Sequence, residues 1–169
     1  MSNYIAILSS THPCSERNKA IASETGKEIV LLGFSLAAGN LSGTPKYAFQ
    51  SAKQNNGITL AIIEQTQHFY YHQYCDILEV VPNIDTKHKM LTELYCGAIV
   101  IGNDPGTVKL IELFLEQEKP VVVIKNTSSL NSKRLGQTTR NNTVKHYPNL
   151  NAAIHQQIKF WPTSLQNYN

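Results

Sequence analysis

The chain has 169 residues, of which 41% are hydrophobic and 16% charged, with a formal net charge of +3. That size and balance suit one soluble globular domain with its own core, and no apolar run approaches the ~20 residues of a membrane span. The opening MSNYIAILSSTHPC has no basic n-region and too short an apolar run for a secretory leader, so a cytoplasmic location and no membrane partner are expected.

In chain order, YIAILSS (4–10) reads as a strand ending in small polar residues, and the following SERNKAIASETGKEIVLLG as a helix with Ser15 at its N-cap. FSLAAG (34–39) is a second strand, and NLSGTPKYAFQSAKQNNG a loop entering a helix. Pro45 suits the first turn of that helix and Asn55-Asn56-Gly57 its end. ITLAIIE (58–64) is a third strand, and the aromatic, polar QTQHFYYHQYC is assigned to no element. Next come DILEVV (76–81) as a short strand, PNIDTKHKMLTELY as a turn and helix, and GAIVIG as a strand. TVKLIELFLEQEK is a helix, PVVVIKN a strand, and SSLNSKRLGQTTRNN an exposed loop. TVKHY and NLNAAIHQQIKFW close the chain as a short strand and a helix. Strands such as LAIIE, GAIVIG and PVVVI are apolar throughout, the pattern of strands covered on both faces. Strand–helix alternation over this length predicts a Rossmann-like, doubly wound α/β fold with a mainly parallel sheet flanked by helices. One domain over residues 1–162 and a loose tail over 163–169 are expected.

Three cysteines, Cys14, Cys75 and Cys96, form no CxxC pair, so buried, reduced thiols are expected rather than a disulfide framework. His68 and His72 stand four apart but lack the glutamate of a HExxH site, so no metal and no cofactor is expected. Neither a GxSxG elbow nor a GxxxxGK[ST] loop is present. Charge is uneven along the chain. Through Glu118 there are 8 basic and 12 acidic residues, and from Lys119 onward 7 basic and no acidic ones. The asymmetry suits either an acidic partner or neutralisation of an acidic face of the protein itself.

In an open parallel sheet, ligands sit beyond the carboxyl ends of the strands. Three strand ends here carry small or polar residues: SSTHPCS, AGNLSGTP and GNDPGT. Glycines let a backbone approach a ligand closely, and a helix that starts there turns N–H groups toward an anion. Ser9, Ser10, Gly39, Asn40, Ser42, Gly43, Gly102, Asn103, Gly106 and Thr107 are therefore the expected phosphate-binding residues.

The order AGNLSGTPKYAFQSAKQNNGITLAIIE, VVPNIDTKHKMLTELYCGAIVI, GNDPGTVKLIELFLEQEKPVVVI resembles the LOG-like branch of the Rossmann-type SLOG superfamily. Lysine decarboxylase-like proteins and cytokinin-activating phosphoribohydrolases belong there, with DprA a more distant relative. The likeness covers about residues 3–160. It implies a nucleotide-like small molecule as ligand and a homodimer or higher homo-oligomer, with nucleic acid ranked behind the small molecule. The apolar stretch LIELFLEQ suits an oligomer interface and core packing equally.

Against the family pattern, Gly106 and Thr107 match the glycine-threonine of the last loop, whereas Asn103 and Asp104 replace paired glycines. Leu110 stands where the resemblance implies a catalytic glutamate. Glu112 lies two residues on, about 200° around a helix. The position of the family's catalytic arginine falls on Lys87, which carries the charge without the planar fork, and His88 follows it. Cleavage of an N-glycosidic bond relies on a carboxylate, so binding without the usual hydrolysis is the expectation. The alternatives are an active hydrolase of nucleoside 5′-monophosphates with a rearranged site, for which Lys87, Asp104 and Glu112 are the weak catalytic candidates, and a DprA-related nucleic-acid or protein-binding module using Lys133, Arg134 and Arg140.

Overall fold

A computed structural model describes residues 3–9, 14–66, 73–102, 105–124 and 144–161. The elements run β1 (Tyr4–Leu8), α1 (Glu16–Leu31), β2 (Ser35–Ala38), α2 (Thr44–Gln54), β3 (Thr59–Glu64) and β4 (Ile77–Val81). They continue with α3 (Ile84–Leu94), β5 (Tyr95–Val100), α4 (Pro105–Glu116), β6 (Val121–Ile124), β7 (Val144–Tyr147) and α5 (Leu150–Gln156), then a 3₁₀ turn at Ile158–Phe160. The local signals act as their chemistry requires. The Ser15 side chain accepts from the Asn18 N–H at the start of α1, Pro45 sits in the first turn of α2, and Asn56 takes a left-handed φ of 61° just past its end. No helix among the described residues is long and apolar enough to cross a membrane.

The strands form one seven-stranded sheet in the order β4-β3-β2-β1-β5-β6-β7, and every neighbouring pair is parallel. This is the Rossmann-like α/β architecture that the all-apolar strands predict. Alternate side chains feed two cores. Ile5, Ile7, Leu36, Ala38, Ile99 and Val122 pack on one face with Ala22 and Ile29 of α1, Phe49 of α2 and Ile154 of α5. Ala6, Leu8, Ala37, Leu60, Ile62 and Val100 pack on the other with Leu91 of α3 and with Ile111 and Phe114 of α4. Each fully buried side chain of this size stabilises the fold by about 1.5–3 kcal/mol. Near the start of β5 the register shifts. Tyr4 pairs with Tyr95 but Ile5 pairs with Gly97, so Cys96 is an extra residue. Tyr95 consequently joins the α3–α4 core, while Gly97 lies beneath the Trp161 ring on the opposite side.

Two expectations change. Ile111 and Phe114 are fully buried, which assigns those positions of LIELFLEQ to the core. The three cysteines are free but half-buried rather than buried; Cys14 and Cys75 lie in the connections before α1 and β4, and Cys96 is the extra residue of β5. Burial still pushes the Cys96 thiol up to about 11, and its Sγ donates to the Tyr4 carbonyl at 3.2 Å. His68 and His72, the loop that carries Lys133, Arg134 and Arg140, and the tail 163–169 all lie outside the described residues.

Candidate functional site at the strand carboxyl ends

The order of the sheet reverses between β1 and β5, and chain direction places the carboxyl ends of both strands on one side with the starts of α3 and α4. A cleft of about 150 Å³ opens at this point, where open α/β sheets hold their ligands. Its apolar lining comes from Ile7, Leu8, Ile84 and Leu110, and its polar lining from Ser9, Asn40, Lys87, His88 and Thr107, with Gly39 and Gly106 bringing backbone to the surface of the cleft. Gly106 and Thr107 belong to the first turn of α4, where an α-helix leaves its N–H groups to partners outside the helix. The start of α3 differs, since the Asn83 side chain accepts from the Thr86 N–H at 2.9 Å and from the Thr86 hydroxyl at 3.0 Å.

Lys87 sits in the first turns of α3 and is 6% exposed. Its stem passes over Gly39, where an added Cβ would lie 3.0 Å from Lys87 Cε and 3.0 Å from Leu91 Cδ1. Glycine at position 39 therefore leaves room for the lysine stem just past the end of β2. The ammonium donates to Glu64 Oε1 at the end of β3, 3.2 Å away. His88, 9% exposed, is the next residue of the same wall. Burial pushes its imidazole below the ordinary value, and the Lys109 and Lys87 charges act in the same direction. Asp85 and Glu64 oppose them more weakly. The ring is thus mostly neutral at pH 7 in the unliganded cleft.

Of the phosphate-binding residues expected from sequence, the cleft gathers Ser9, Gly39, Asn40, Gly106 and Thr107. Ser42 and Gly43 stand outside its wall. Ser42 donates its N–H to the Asn40 side chain at 3.3 Å, and Gly43 caps α2 with a φ of 65°. Gly102, with a φ of 72°, turns the chain out of β5 through a conformation that side chains resist. Ser10, Asn103 and Asp104 lie outside the described residues. Among the catalytic candidates Lys87 lines the cleft, while Glu112 is half-buried on α4 and absent from the wall, as the 200° step implies. Leu110 occupies the wall instead. Sequence reading assigned no role to Glu64 or Ile84 and gave His88 no more than its place beside Lys87. Among the described residues no group of three or more His, Cys, Asp or Glu side chains could hold a metal ion.

The sequence pattern of the SLOG cluster4 family matches residues 2–154. No protein of curated function matches the chain in sequence. Among solved structures, the molybdenum cofactor carrier protein of Chlamydomonas reinhardtii superposes with a TM-score of 0.79 at 20% identity, over 92% of this chain and 95% of that one. The molybdenum cofactor binding protein of Rippkaea orientalis gives 0.79 at 22% identity, over 92% and 94%. DNA processing protein A (DprA) of Streptococcus pneumoniae gives 0.68 at 18% identity, over 92% of this chain and 62% of its own. At these identities the likeness establishes the shared fold.

Proposed function

The chain belongs to the SLOG cluster4 family, and from its cleft we propose that it binds a phosphate-bearing small molecule of nucleotide type without cleaving an N-glycosidic bond. The observation that carries this reading is the composition of the cleft wall. Lys87, Gly106 and Thr107 line it beside Leu110, where hydrolysis in related proteins would want an acid. An ammonium and the first turn of a helix suit an anionic group. The leucine supplies neither a base for water nor a charge to stabilise a cationic sugar. The apolar lining of Ile7, Leu8, Ile84 and Leu110 suits the body of a heterocycle.

The test is a calorimetric panel of AMP, ADP-ribose and cyclic nucleotides, joined by the molybdenum cofactor because two relatives are described by their handling of it. Binding of at least one member, with no ribose 5-phosphate released from AMP, is expected. Silence across the panel, or steady release of ribose 5-phosphate, overturns the reading.

A further inference from the structure

We propose that His88 is a ligand-contacting residue of this cleft and that an anionic group bound beside it draws a proton onto its imidazole. This rests on the binding reading above and adds a proton to it. His88 lines the cleft together with Lys87 and Thr107 and is 9% exposed.

The charges facing it come from three elements. Lys109 lies on α4, Lys87 and Asp85 on α3, and Glu64 on β3. Lys87, the buried cation of the wall, is already paired with Glu64 at 3.2 Å. An incoming anion therefore meets an ammonium that already has one carboxylate partner. A neutral imidazole beside two lysines is the group whose charge can change near neutral pH. Bringing an anion next to it opposes the burial and the lysine charges that keep it unprotonated, since an opposite charge at hydrogen-bond range favours the charged ring. Proton and anion then bind with positive linkage, and each raises the affinity of the other by the same factor. Binding is tightest on the acid side of neutrality. In this scheme the cleft selects a ligand that keeps its negative charge at that pH, as a diester or sulfate group does.

The test uses inorganic sulfate, which stays doubly charged over the whole range. Ring resonances of His88 are followed by NMR from about pH 5 to 8, with and without sulfate, together with the backbone amides of Gly106 and Thr107. Sulfate is expected to move the His88 titration upward and to shift both amides. Sulfate affinity should weaken by roughly fivefold or more between about pH 6 and pH 8. In His88→Gln that dependence disappears, and in His88→Lys binding stays at its acid-side strength throughout. Circular dichroism confirms that both variants are folded. If the amides move while the His88 titration stays in place, the proposal falls and the binding reading stands. If neither responds to sulfate, both fall.

Discussion

Two lysine–carboxylate pairs in this protein span the same 23 residues of sequence and serve opposite ends of the third strand. At its start, Lys53 of α2 pairs with Asp76. That carboxylate also accepts from the Thr59 N–H at 2.9 Å and its hydroxyl at 3.1 Å, while Lys53 donates in addition to the Gly57 carbonyl. At its end, Lys87 meets Glu64 at 3.2 Å inside the wall of a cleft. The first pair is a brace, in which the acceptor is filled by backbone and side chain from the strand it locks. The second is more buried, yet it borders open volume into which an anion can come. The difference shows how to separate stability from binding in a parallel sheet. A charge pair wired into the backbone holds strands together, and one beside a cavity is available to a ligand.

The comparison is broken most severely by Asp76→Ala. Thr59 is fully buried and its hydroxyl keeps the Tyr74 carbonyl at 2.7 Å, so removing the carboxylate leaves the buried Thr59 N–H short of a partner and costs about 2 kcal/mol. Urea denaturation checks it, and ligand affinity measured on the folded fraction should hold. Burial pushes the Asp76 carboxyl up, but hydrogen bonds from Lys53 and Thr59 outweigh it and hold the group below its ordinary value. Its stabilisation is therefore present above about pH 4 and lost as pH falls through the folded value.

Lys87→Ala should show the reverse profile. Losing a charge-assisted contact corresponds to roughly 10- to 100-fold in affinity by calorimetry, while stability falls by less than the Asp76 variant loses. Leu110→Glu sharpens the same contrast. A carboxylate in the wall should weaken binding of an anion about fivefold or more through repulsion, and high salt should narrow the gap. Gly39→Ala comes next. Its Cβ would press on Lys87 Cε and Leu91 Cδ1 at 3.0 Å, so the lysine must shift by a few tenths of an ångström, and a loss of about threefold in affinity is expected. The smallest effect belongs to His88 without ligand. Because its folded value lies below the unfolded one, the unfolded chain takes up the proton first, and stability declines as pH falls below about 6.5. Denaturation midpoints across that range should lose this slope in His88→Gln.

Much of the fold could be read from the residues because its causes are local. LAIIE and PVVVI are apolar on both faces and became interior strands, each paired on both sides. Ser15 and Pro45 act within one helical turn of where they stand. The cleft was legible where glycine and small polar residues end a strand, as at Ser9, Gly39 and Gly106. Glu64 escaped because its role depends on Lys87 reaching over Gly39, a meeting across 23 residues and two elements that no local pattern encodes. His88 gave no signal as a titrating group, since its environment is made by burial in the assembled fold and then by the charge of Lys109 from a different helix. The half-burial of the cysteines was likewise set by position in the fold rather than by residue type.

The route of the chain through the sheet has a consequence for how the protein folds. β1 to β4 make one side of the sheet and β5 to β7 the other, and the backbone passes between them once, through the segment that holds α3. Lys87 and His88 ride on that passage. A nascent chain that has formed the first four strands has neither the β1–β5 seam nor Gly106 and Thr107 in place. Parallel pairing at long sequence separation is slow to form, so the cleft is completed with the last large closure of the chain. Ligand capture should then appear late in refolding, in step with the seam rather than with the first helical signal, and a ligand in the cleft would act as a latch on the finished fold.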